Sequence, residues 1–240
     1  ILIMNASIRK FSLFLTSCLT GIFTGHAYDQ DNWYLADEWS VNQSQGVFYQ
    51  EDNVTGIGQI YVCNGSGSSS RISVYDMNGS LARHITIANQ RTTAYDLVLD
   101  QNGTIYIIEE RAVTCLENDG TFKWRTGKNA SISNVGSTGS GNGEFNYPKG
   151  ITIGKDGNLF VADYDNKRVQ VLDKNGSFVR KFGSSGTAPG QFYNYTYDVE
   201  SLSDGTLVVR DYKGFHWFDL NGTFIKRLIP PSSDVQNGYL

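Results

Sequence analysis

The stretch GEFNYPKGITIGKDGNLFVADYDNKRVQVLDKNGSFVRKFG, from Gly143 to Gly183, decides the fold. Four short apolar runs are separated by two glycine turns, Asp156-Gly157 and Asn175-Gly176, and by one polar link. Leu159 and Val161 alternate with their neighbours, as do Val169 and Val171. A period of two marks strands, so the segment reads as one four-stranded antiparallel sheet, with strands Gly150 to Ile153, Asn158 to Ala162, Arg168 to Asp173 and Ser177 to Phe182.

The same order recurs from Gly190 to Leu228 and twice upstream. Aligned on the first turn, the copies share Gly58, Gly103, Gly157 and Gly205, at intervals of 45, 54 and 48 residues, with second glycines at Gly79, Gly120, Gly176 and Gly222. Seven of the eight follow Asn or Asp, the pairs that best tolerate the positive φ of tight hairpins; Ile57-Gly58 is the exception. Periods of about 40 to 50 residues with four strands each belong to β-propellers, in which neighbouring blades cover one another's apolar faces. An open solenoid or sandwich has no reason to repeat a fixed pair of turns. The expected fold is all-β, a propeller of four-stranded antiparallel blades at about 47–88, 94–126, 145–183 and 192–228.

The third copy reads Gly143-x-Phe145, Pro148-x-Gly150-Ile151, Asp156-Gly157-Asn158-Leu159-Phe160-Val161-Ala162-Asp163 and Asn166-x-Arg168-Val169-Gln170-Val171. This resembles the NHL repeat. The fourth copy keeps Gly190-Gln191-Phe192, Asp204-Gly205 and Asp211 but has Lys213-Gly214-Phe215 in place of Asn-x-Arg-Val, and the first two keep little beyond the turns. The resemblance implies blades of a propeller that usually has six, so four visible copies imply a sequence that ends within the domain; a ring of four is the alternative. It implies fold more firmly than activity, because such scaffolds carry many unrelated sites.

Residues 1–27 read as a secretory signal: Arg9-Lys10, the apolar run Phe11 to Phe23, then Gly25-His26-Ala27 with small residues at the peptidase positions. A retained anchor is the alternative, and Leu15-Thr16-Ser17-Cys18 resembles a lipobox, so membrane attachment follows only if Cys18 is lipidated. The expected location is secreted, periplasmic or cell-surface. Residues 28–46 form a leader in which Asn32 to Val41 looks like a strand able to complete the last blade. Cys63 and Cys115 fall on strands and read as buried free thiols, with an inter-blade disulfide the alternative.

In a propeller blade both tight turns lie on one face and the links on the other. The length changes, at Asn64 to Ser70 and Thr126 to Glu144, fall on the link face, and loops on a rigid scaffold are where binding residues concentrate. The links carry tyrosines among charges, so Tyr164, Asp165, Arg168, Tyr193, Tyr195, Arg210 and Tyr212 are the candidate ligand-binding residues. Tyrosine gives amphipathic contact area at low entropic cost, which suits a protein, peptide or glycan ligand. Asn64, Glu109, Asp163 and Asp211 end successive second strands; a ring of oxygens for Ca²⁺ is one reading, local bonds to the following link the better one.

Some relatives of the architecture are metal-dependent lyases or lactonases. His26, His84 and His216 occupy unrelated positions and no Ser/His/Asp or Cys/His set stands out, so no catalytic residue, metal or cofactor is assigned and an enzyme is the alternative reading. Without Arg9 and Lys10 the chain has 18 Lys+Arg against 24 Asp+Glu, net −6, which opposes the basic footprint that nucleic acid needs. Ten Asn-x-Ser/Thr triplets occur, but those at Asn78, Asn102, Asn175 and Asn221 coincide with hairpins that already account for an asparagine.

Overall fold

A computed structural model describes residues 22–28, 35–42, 44–51, 58–64, 70–87 and 93–230. Strands β1 (Ile22–Tyr28) and β2 (Leu35–Asn42) pair antiparallel as a separate two-stranded sheet. The strand expected in the leader therefore exists as β2; it pairs with β1, whose residues 22–27 fall within the expected signal.

Four blades follow. They comprise β3 (Ser44–Glu51), β4 (Gly58–Asn64), β5 (Arg71–Asp76) and β6 (Leu81–Thr86); β7 (Ala94–Leu99), β8 (Ile105–Glu109), β9 (Val113–Leu116) and β10 (Phe122–Thr126); β11 (Pro148–Ile153), β12 (Leu159–Asp163), β13 (Arg168–Leu172) and β14 (Phe178–Phe182); and β15 (Thr196–Ser201), β16 (Leu207–Asp211), β17 (Phe215–Phe218) and β18 (Phe224–Leu228). The first strands β3, β7, β11 and β15 touch in that order. Apolar side chains such as Leu97, Ile107 and Ile151 fill the space between the first three blades, and Phe160, Val199 and Phe218 that between the last two. Cys63 and Cys115 are buried in β4 and β9 as free thiols; burial pushes Cys115 up to about 12 and Cys63 well above its usual range, so neither is poised to react.

The turns differ from the expected hairpins in one respect. Only the glycine has positive φ, as at Gly79 (80°) and Gly222 (88°), while the Asn or Asp before it does not. Gly79 N–H donates to Asp76 O and Asp76 N–H to Ser80 O, both at 3.0 Å, which is a type I turn closed by a bulge glycine. Gly58 is not a turn residue: it starts β4, opposite Glu51.

Every inner strand starts with a bulge. The register skips one residue between Ser44 and Gly46, Ala94 and Asp96, Pro148 and Gly150, and Thr196 and Asp198. The ladder thus leaves out Gln45, Tyr95, Lys149 and Tyr197, all at the link end, and bulges re-aim side chains. The next position alternates Gly46, Asp96, Gly150, Asp198. A Cβ on Gly46 would lie 2.7 Å from Asp96 Cα and one on Gly150 2.8 Å from Asp198 Cα, so each glycine admits the following blade's backbone. Asp96 Oδ2 accepts from Ile151 N–H at 2.9 Å and ties the second blade to the third.

Two glycine substitutions should separate backbone strain from close approach. Gly157→Ala meets no atom within 4 Å and carries only the positive-φ strain, about 1–2 kcal/mol. Gly150→Ala carries no such strain but forces β11 from β15 and should cost more, up to ~3 kcal/mol, through overpacking alone. Urea midpoints of the two variants check the order.

Candidate functional site

The link face is held by buried carboxylates. Glu109, Asp163 and Asp211 end β8, β12 and β16 and are nearly inaccessible, so each needs partners. Asp163 Oδ1 accepts from Asn146 N–H at 2.8 Å, and Oδ2 from Arg168 Nε at 2.8 Å, Asn166 Nδ2 at 2.9 Å and Gln170 Nε2 at 3.1 Å. Burial pushes this carboxyl up against the pull of those donors. Arg168 spends its other nitrogens on the carbonyls of Ser140, Gly141 and Glu144, at 2.8, 2.8 and 3.0 Å. In the second blade, Arg125 lies 2.8 Å from Glu109 Oε2, with Thr114 bonded to both, and reaches the carbonyls of Ser131 and Ile132. The long insertion before β11 is therefore clamped at both ends by buried guanidinium groups. The local reading of these acidic positions accounts for their bonds; the Asn64 side chain lies outside the described residues.

Arg168, a candidate from sequence, is thus taken out of the ligand-binding set. At 7 % exposure, with its nitrogens bonded to Asp163 and three carbonyls, it has nothing to offer a ligand. Only its charge and its place on a link suggested otherwise.

The fourth blade solves the same problem without an arginine. Asp211 Oδ1 accepts from the N–H groups of Lys213 (2.8 Å) and Gly214 (2.9 Å), Oδ2 accepts from Tyr193 N–H (2.6 Å), and His216 Nε2 lies 3.0 Å from Oδ2. Burial pushes Asp211 up, but His216 and the N–H groups of Tyr193 and Lys213 outweigh it and hold the carboxyl below the usual carboxylate range. This carboxylate fixes where Tyr193 and Lys213 leave the scaffold.

Between these knots, the third and fourth blades bring most of the candidates together. The link before β11 has one residue, Tyr147, between the amide bonded to Asp163 and the strand, whereas the link before β15 has two, Asn194 and Tyr195. Tyr195, the extra residue, stacks flat on Tyr164, with centroids 4.4 Å apart and planes at 2°. Tyr197, aimed here by its bulge, meets Tyr164 edge-on at 5.1 Å. Lys167 Nζ lies 5.7 Å from the Tyr195 ring, Arg210 5.1 Å from Tyr197, and Lys213 3.9 Å from Tyr193, which faces Tyr212 at 6.2 Å. Burial, with a hydrogen bond to Tyr197, pushes the Tyr164 hydroxyl well above its ordinary range, so it stays a neutral donor and acceptor. Tyr193 and Tyr212 stand open, the latter 52 % exposed.

Asp165 stands apart from the stack. Its N–H holds Asn146 O at 3.1 Å and its carboxylate faces Lys149, whose Nζ sits 3.3 Å from the Tyr95 ring centroid. Burial lowers the Lys149 pKa, and Glu110 and Asp165 oppose the shift. Sequence reasoning does not single out Tyr95. The alignment column Gln45, Tyr95, Lys149, Tyr197, one residue before the Gly/Asp position, is the signal that identifies it. Among the described residues, no group of three or more His, Cys, Asp and Glu side chains is placed to hold a metal, and no helix is long and apolar enough to cross a membrane.

Residues 145–172, covering β11 to β13, match the family model of the NHL repeat. The chain is similar to the RING finger protein nhl-1 of Caenorhabditis elegans, 45% identical over 56 residues, which cover 23% of this chain and 6% of that protein. It is also 24% identical over 160 residues to human NHL repeat-containing protein 3, covering 62% of this chain and 44% of that one. The third blade carries an NHL repeat, in a chain that folds as a β-propeller. Its matches span less than half of the length of either relative. Among solved structures, the propeller resembles virginiamycin B lyase from Staphylococcus aureus, with a TM-score of 0.57 and 13% identity over 79% of this chain and 56% of that one, a likeness of fold alone.

Removing a clamp should cost stability. Arg168→Ala leaves a buried carboxylate partly unpaired and should lose about 3–5 kcal/mol in urea denaturation. Asp211 gives a pH signature. Its carboxyl titrates lower folded than unfolded, so the stability it contributes is complete above about pH 4 and is lost as pH falls through its folded value. Asp211→Asn should lower the urea midpoint at pH 7 and flatten its decline below about pH 4.

Proposed function

We propose that this NHL-repeat propeller is an exported, non-catalytic module that captures a protein, peptide or glycan on the link face between its third and fourth blades. The Tyr164–Tyr195 stack, bordered by the open rings of Tyr193 and Tyr212 and by Arg210 and Lys213, carries the reading. Rigid rings among fixed cations offer stacking area to a sugar face or an aromatic or Arg side chain, and little entropy is lost on binding because strands and buried carboxylates already hold them. The leader read from residues 1–27 supports export, and loops varying on one face only support a docking role.

Screening the purified chain against a peptide display library and a glycan array tests this, in parallel with the triple variant Tyr193→Ala, Arg210→Ala, Tyr212→Ala. Retained ligands should bind the variant more than tenfold more weakly, since interfacial aromatic and Arg anchors are each worth more than about 1 kcal/mol. Its Tm should stay within about 2 °C of the parent's, because Tyr193 and Tyr212 are exposed and the half-buried Arg210 holds no buried carboxylate. Equal binding by both proteins would contradict the reading. The enzyme alternative, a metal-dependent lyase or lactonase, rests on the likeness in fold to the lyase; stoichiometric bound metal and a fall in Tm on chelation would favour it.

A further inference from the structure

The seven glycine turns described on the face opposite the site are of two chemical kinds. In three of them the residue before the glycine is Asp119, Asp156 or Asp204, and its own carboxylate closes the turn by accepting from the N–H of Thr121, Asn158 or Thr206. In the other four that residue is Asn78, Asn102, Asn175 or Asn221, and the closing carboxylate comes instead from the aspartate two residues earlier. Asp76, Asp100, Asp173 and Asp219 each accept from the amides two and four residues on, at 2.7–2.9 Å.

That exchange leaves the asparagines without a structural duty. None has the positive φ that would explain the choice of residue, none uses its side-chain amide in the turn, and all four are exposed. Each is followed by glycine and then Ser80, Thr104, Ser177 or Thr223, so all four stand in Asn-x-Ser/Thr triplets; the aspartate turns carry Thr121, Asn158 and Thr206 at the last place. The hairpin accounts for the glycine and for the hydroxyl, which also follows it at Thr121 and Thr206, but the asparagine side chain closes none of these turns. Local structure accounts for Asp and Gly; a free amide with a hydroxyl two residues on is what an oligosaccharide transferase reads.

We infer that Asn78, Asn102, Asn175 and Asn221 carry N-linked oligosaccharides, so that the turn face is sugar-coated and the link face is left to the partner. This rests on the proposed export, because the transfer takes place in the secretory pathway. The donor is a lipid-pyrophosphoryl oligosaccharide. Its anomeric carbon–oxygen bond to phosphate breaks, the asparagine Nδ2–carbon bond forms, the amide gives up a proton and the lipid pyrophosphate departs. All four sites lie on outward corners, so the sugars need displace no packed side chain. Of the six other triplets, those at Asn64, Asn129 and Asn194 fall on the link face, and site mapping reads all six separately.

The chain from Met4 onward is expressed in cultured animal cells. Protease protection of the membrane fraction reads translocation, and peptide mapping after enzymatic glycan release, which converts each carrier asparagine to aspartate in isotopically labelled water, reads the sites. Translocated protein that loses mass on glycan release and carries label at the four turn asparagines is the expected result. The variants Ser80→Ala, Thr104→Ala, Ser177→Ala and Thr223→Ala, which keep the asparagine and the closing aspartate, should each abolish label at one site without changing the fold. Translocated protein with bare turn sites, with label confined to triplets outside the four turns, or with deamidation but no sugar would overturn the inference and leave export standing. Protein that stays accessible to protease would overturn export, and the inference with it.

Discussion

A carboxylate without water must find donors, and in this propeller that requirement organises the face opposite the tight turns. The second strand of each described blade from the second onward ends in a buried acid, and each acid is satisfied by a link that would otherwise be loose. Asp163 takes the amide of Asn146 and the guanidinium of Arg168, and Arg168 gathers three carbonyls of the preceding insertion. Asp211 takes the amides of Tyr193, Lys213 and Gly214. Losing one partner leaves the others desolvated, which is why such groups act as a unit.

The site is a by-product of how that unit varies. The third blade closes its link with an arginine and one residue before the strand; the fourth uses His216, lacks the arginine and adds Tyr195. The added tyrosine lies flat on Tyr164 of the neighbouring blade. Inner-strand bulges contribute Tyr95, Lys149 and Tyr197 to the same face, because a residue omitted from the ladder turns toward the end of the strand. Gly46 and Gly150 let the blades close up, so aromatic rings from different blades meet at stacking distance.

Much of the fold was legible. Alternation in Leu159/Val161 and Val169/Val171 identified strands, and the paired glycines identified turns, because period and positive φ leave direct marks in a sequence. Gly58 misled, since a glycine admitted by the crowding of Tyr49 looks the same in sequence as one admitted by a turn. The link face was legible as a region but not residue by residue. Arg168 and Arg210 are both link-face arginines, and only burial, which depends on the partner chosen in three dimensions, separates the clamp from the half-buried cation over Tyr197. Tyr195 could be read as extra only after the register showed which amides the carboxylates hold.

Amide hydrogen exchange on the native chain, resolved by residue, tests most directly whether buried carboxylates hold the links. Asn146 and Tyr193 lie in connecting segments, yet their N–H groups donate to Asp163 and Asp211. The account requires these two amides to exchange as slowly as those of the inner strands β11 and β15. Exchange at the rate of an exposed loop, while β11 and β15 stay protected, would contradict it.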